Sequence, residues 1–137
     1  MAEDSDDSPG DDSDAYCVAA RALLRGLPPL VTHSILEDPQ YTDDDGLIPF
    51  AVSGGIASWV YHALQEGRPD EALPVLLVME DLIHSGAPGA IDLIDTGFVE
   101  DFVNIWSHER GPELKLLLGV SGPRLRAFVE SESADLR

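Results

Sequence analysis

The chain is 137 residues long, a one-domain length, and 44% of it is apolar, enough to build a real core. Twenty-six Asp and Glu against eight Lys and Arg give a net charge of −18, a field that repels nucleic acid and anionic membranes and draws in basic partners. Seven of the acids and no base fall in MAEDSDDSPGDDSD, residues 1–14, so residues 15–137 still carry −11.

Taken in chain order, residues 1–14 are too charged and too poor in apolar side chains to bury themselves. A disordered acidic tail is expected there, followed by a single helical domain over 15–137. Residues 15–25 carry Cys17, Val18, Ala20, Leu23 and Leu24 at helical spacing and stop at Gly26. Residues 27–37 follow, with Pro28 and Pro29 suited to a first turn. DPQYTDDDG reads as a polar loop that brings Asp43, Asp44 and Asp45 to the surface. Residues 48–65 place Val52, Ile56, Trp59, Val60 and Ala63 on one stripe, weakened in its first half by Gly54 and Gly55. Residues 70–85, DEALPVLLVMEDLIHS, are apolar on most sides, with Glu80 directed toward Leu73 and Leu76 on a helical wheel. That is the pattern of a buried central helix, and it makes Glu80 a buried polar candidate. GAPG breaks the chain before an amphipathic segment over 90–107. Two short helices, 113–118 and 123–130, close it, with Ser121 before Gly122-Pro123 read as a helix cap. No long alternating pattern calls for a sheet. The expected fold is all-α, six or seven helices in a compact bundle or a short α-solenoid-like stack.

The segment 90–107 holds four carboxylates close together. At 100° per residue, Ile91, Ile94, Phe98, Phe102, Ile105 and Trp106 share one arc, and Asp92, Thr96, Glu100 and Ser107 line the wet side. Asp101 falls at the edge of the arc. Asp95 falls inside it, where a carboxylate needs a partner or a cap, so it is a second buried polar candidate.

Chemistry is sparse. The loop from Tyr41 has Asp43, Asp45 and Gly46 where an EF-hand has its third, fifth and sixth residues, but Tyr41 and Val52 occupy the first and twelfth ligand positions. His33, His62, His84 and His108 sit in four different segments, and only Asp81 and His84 share a helix face, so no metal site is expected. No G-x-S-x-G elbow or phosphate-binding loop is present, and no catalytic residue and no cofactor are expected. The bases Arg21, Arg25, Arg68, Arg110, Lys115, Arg124 and Arg126 are scattered, with only the last pair able to form a patch, which argues against nucleic acid. Cys17 is a lone cysteine in an apolar helical setting and reads as a small core residue. No basic segment precedes an apolar run at the N-terminus, and the uncharged stretch 46–65 is broken by Pro49, Gly54 and Gly55. Neither a secretory signal nor a membrane span is expected, and a reducing cytoplasm fits.

Three stretches, LIPFAVSGGIASWVYHAL (47–64), LPVLLVMEDLIHSGAPGAIDLIDTGFVEDF (73–102) and GPELKLLLGVSGPRLRAF (111–128), together resemble an uncharacterised family of small, acidic, helical bacterial proteins known only as a domain of unknown function. The matching residues are Trp59, Glu80, Leu93, Ile94, Phe98, Glu100, Glu113, Leu114 and Gly119. The family runs from LLG directly into P-x-LR, whereas Val120, Ser121 and Gly122 intervene before Pro123 here, which leaves the register of the last helix open. The resemblance implies an immunity-type protein of a bacterial toxin system and carries no catalytic residues. With the charge balance, it leads to the expectation of a non-enzymatic protein-binding protein, an inhibitor of a toxin with a basic cleft. Asp43, Asp44, Asp45, Asp92, Glu100 and Asp101 are its expected contacts. The alternative expectation is a structural or regulatory helical module with a different protein partner.

Overall fold

The computed structural model describes residues 15–44, 46–103 and 112–134. The acidic tail 1–14, Asp45, and Ile105, Trp106 and Ser107 of the amphipathic segment lie outside the described residues. The described chain is all-α apart from one hairpin. In order it runs α1 (residues 15–24), α2 (Pro29–Glu37), β1 (Thr42–Asp43), β2 (Gly46–Leu47), α3 (Pro49–Gln65), α4 (Pro69–Ser85), α5 (residues 90–103), α6 (Pro112–Val120) and α7 (Pro123–Ala134). Five of these helices open on a proline, whose missing N–H would have been an orphan in the first turn and whose fixed φ already suits a helix. α4 ends on Gly86 in the left-handed region, φ 70°, and the N–H of Ala87 returns to the Leu82 carbonyl at 3.3 Å.

The stretch read as a polar loop is more ordered than expected. Thr42 pairs with Leu47 and Asp43 with Gly46 in a short antiparallel hairpin, which the Ile48 N–H extends by donating to the Tyr41 carbonyl at 2.8 Å. This fixes Tyr41 above α3.

The centre of the molecule is α5, not α4. Leu93, Ile94, Phe98, Val99, Phe102 and Val103 of α5 are all fully enclosed, each contributing about 2 kcal/mol of apolar burial. The most extensive helix pairing is α3 on α5, and α4 and α6 flank α3 while α7 covers α4 and α5. Contacts between helices distant in sequence, α3 with α6 and α4 with α7, define a bundle; in a solenoid each unit would touch only its neighbours. α4 buries Ala72, Val75, Leu76, Met79 and Ile83, while Leu73 and Leu77 remain exposed at 38% and 53%. Its nearly all-round apolar character therefore does not place it at the centre.

α5 also departs from α-geometry. It is α-helical over Ala90–Asp92 and π-helical over Leu93–Val99, where the Glu100 N–H bonds to the Asp95 carbonyl five residues back. Two features of the contact between α3 and α5 accompany the wider turn. Ser53, fully buried, donates its hydroxyl to the Leu93 carbonyl at 3.0 Å, and Gly97 lies so close to Ser53 that a Cβ there would stand 2.7 Å from Oγ. A wider turn advances each residue by less than 100°, so the apolar stripe shifts phase. Leu93, Val99 and Val103 enter the core, and Ile91, placed in the apolar arc by the wheel, is 43% exposed.

Candidate functional site: an acidic helix face beside an aromatic groove

The acids of α5 are arranged by the π turn. Asp92 is exposed and accepts a hydrogen bond from the Tyr16 hydroxyl at 3.3 Å. Asp95 is half-buried instead of sealed among Phe98 and Phe102, because the phase shift carries it toward the Asp92 and Glu100 side. Burial raises the pKa of its carboxyl, and the charges of Glu100 and Asp92 raise it further. Asp101, also half-buried, is raised by burial and then by Glu100. Asp92, Asp95, Glu100 and Asp101 thus form one run of mutually repelling carboxylates along α5. Asp43 and Asp44 are exposed on the hairpin, a separate element, and Asp45 lies outside the described residues.

Asp101 rests on α3. A Cβ on Gly54 would come within 2.5 Å of its Oδ2, and a Cβ on Gly55 would come within 2.6 Å of the Tyr41 ring. The two glycines that weaken α3 as a helix therefore open its backbone to a carboxylate and an aromatic ring. On either side of Tyr41 lie depressions of ≈ 400 Å³ and ≈ 350 Å³, both lined by Tyr41, Gly55 and Ser58. The first continues over Asp38, Trp59 and His62, and the second over Phe50, Gly54 and Asp101. Burial raises the pKa of the Tyr41 phenol, and the neighbouring Asp38 charge adds to this. In the sequence the only hint of this groove was the glycine pair, since glycines kept inside an apolar helix mark a close approach.

Glu80 has a different task. Its side chain is 13% exposed and reaches from α4 to the start of α7, accepting the backbone N–H of Leu125 at 3.0 Å and of Arg124 at 3.1 Å, with the Arg124 guanidinium at 3.4 Å. Burial alone would raise its pKa, but these donors outweigh it and hold the carboxyl below the usual range. Gly122 makes room, since a Cβ there would stand 2.6 Å from the Glu80 carboxyl carbon. Ser121, expected to cap α7, instead donates to the Leu117 carbonyl of α6 at 2.6 Å. Glu80 does the capping.

Other sequence candidates do not converge. Among the described residues no group of three or more His, Cys, Asp or Glu is placed to hold a metal ion. His33 faces Glu37 at 3.2 Å on α2, and no hydrogen bond joins Asp81 to His84. Arg68 is held by Glu66 at 2.7 Å and by Glu71. Arg21 and Arg25, which read as scattered, in fact line one cavity of ≈ 510 Å³ with His33, Leu24, Leu27 and Leu36. Cys17 is partly buried, its thiol 3.8 Å from the Leu47 carbonyl.

The fold and the site together define an all-α bundle with an acidic helix face beside an aromatic groove. No family model, curated protein or solved structure matches the chain. Among the described residues no helix is long and apolar enough to cross a membrane.

Proposed function

We propose that this is a non-enzymatic binding protein whose acidic α5 face takes a basic protein partner, and that the partner is a bacterial toxin it inhibits, as the family resemblance implies. The observation that carries the reading is the run of acids on α5, where Asp92, Asp95, Glu100 and Asp101 lie within ten residues of one helix and neither Asp95 nor Asp101 makes an ion pair with a described residue. Burial first, and neighbouring acids second, push both of these carboxyls up. A basic surface laid on this face would supply the missing counter-charge and steer the encounter. The test is stopped-flow mixing of the full chain with the purified product of the adjacent gene. The association rate should fall about tenfold or more between low and high salt. A rate flat across ionic strength would overturn the mechanism.

The exposed Leu73 and Leu77, one turn apart on α4, support a second reading, a regulatory module that binds its partner through an apolar helix stripe. In that case Leu77→Glu would abolish partner binding, and neutralising α5 acids would leave it intact.

A further inference from the structure

The groove around Tyr41 has a composition that selects a particular ligand chemistry. Three aromatic side chains, Phe50, Tyr41 and Trp59, line its two depressions, with Asp38 in one and Asp101 in the other. Among the described residues no Lys or Arg lines either depression. Asp101 is half-buried and makes no hydrogen bond or ion pair with a described residue, in contrast to Glu80, whose carboxylate is fully engaged. A partly desolvated carboxylate beside an aromatic face is a complement to a cation, because the ring's negative face and the anion attract the same group.

We infer that the groove takes an arginine side chain of a basic partner protein, its guanidinium lying on the Tyr41 ring and pairing with Asp101. This rests on the reading that the partner is basic, and it adds which residues recognise it. Arginine fits better than lysine. Its planar guanidinium stacks on a ring and pairs with a carboxylate through two parallel N–H groups, whereas an ammonium is a compact, strongly hydrated point charge. The bare backbone at Gly54 and Gly55 lets both recognition groups sit low on α3, which leaves space above them for a side chain.

The experiment titrates the full chain with an acetylated triarginine amide at low salt, read by calorimetry and by the indole N–H signal of Trp59 and the amide signals of Gly54 and Gly55. Those signals should move. Asp101→Asn should weaken binding about fivefold, the worth of one partly desolvated ion pair. Asp81→Asn, the same charge change on an exposed site of α4, should weaken it by less than about twofold, as expected for an exposed, screened charge. Tyr41→Leu should remove the preference for triarginine over trilysine. If Asp101→Asn and Asp81→Asn weaken binding equally, the peptide senses only net charge. The groove assignment then falls while the basic-partner reading stands. If triarginine binds no variant, both fall.

Discussion

Glu80, singled out by a helical wheel as a polar group turned toward apolar neighbours, finds its partners on another helix. Proline at the start of α7 removes one orphan donor, and the next two N–H groups, of Arg124 and Leu125, find their acceptor on another helix. The carboxylate also sits at the positive end of the α7 dipole, so charge and hydrogen bonding act in the same direction. Glu80→Ala should cost about 2 kcal/mol, leaving two donors without their partner, and Glu80→Gln about half that, since the amide oxygen can still accept. The pH dependence separates the charged part. Because the folded carboxyl titrates below its unfolded value, its stabilisation is fully present above about pH 4.3 and is lost as pH falls through the folded pKa. Urea unfolding should therefore show the gap between the native chain and Glu80→Gln narrowing from pH 7 toward pH 3. A gap independent of pH would mean that the charge contributes nothing.

At the scale of elements, glycines decide how closely helices approach, and they do not all matter equally. A Cβ on Gly26 would stand 2.6 Å from the Val75 Cα and 3.0 Å from the Pro74 carbonyl oxygen, so Gly26→Ala must move α4 backbone and should cost about 1–3 kcal/mol. A Cβ on Gly54 meets only the end of the Asp101 carboxylate, which can swing away, and alanine adds about 1 kcal/mol of helix propensity. Gly54→Ala should melt at or above the native temperature and Gly26→Ala well below it; the reverse order would mean that Asp101 is rigidly held. Helix boundaries were legible because prolines and glycines punctuate this chain. The stretch expected over 70–85 is Pro69–Ser85, and the one expected over 123–130 runs Pro123–Ala134. The π turn was not legible. A wheel assumes 100° per residue, and nothing within 93–99 announces a wider turn except Gly97, whose role appears only once Ser53 of α3 lies against it. For the same reason Asp101 could be named from sequence as an acid at the edge of the apolar arc and a partner contact, but its groove could not. Tyr41, Gly54 and Asp101 come from a hairpin and two helices, and only tertiary packing brings them together.

For the whole molecule the dominant quantity is the charge of −18, which opposes compaction wherever carboxylates are ionised. Asp95 and Asp101 make the penalty specific. Both titrate above their unfolded values, so below the unfolded carboxyl range neither state is charged and they impose no cost. As pH rises through their folded pKa values the folded state must ionise two partly buried acids beside Glu100, and stability falls. Glu80 acts with the opposite sign, losing its contribution only in stronger acid. The two trends oppose each other in acid. At low salt Asp101→Asn should raise the melting temperature at neutral pH, by about 4 °C for each kcal/mol of penalty removed, and raise it less as pH falls toward the unfolded carboxyl range, where the native side chain is itself uncharged. Raising salt to about 0.5 M should lift the neutral-pH melting temperature more than the acidic one, since screening acts on the charges that ionisation creates. If the pH dependence of the Asp101→Asn gain survives high salt unchanged, the penalty comes from desolvation of Asp101 and not from repulsion along α5. An arginine-bearing partner would then stabilise the fold by taking up Asp101 alone, and neutralising Glu100 would leave the melting temperature unmoved.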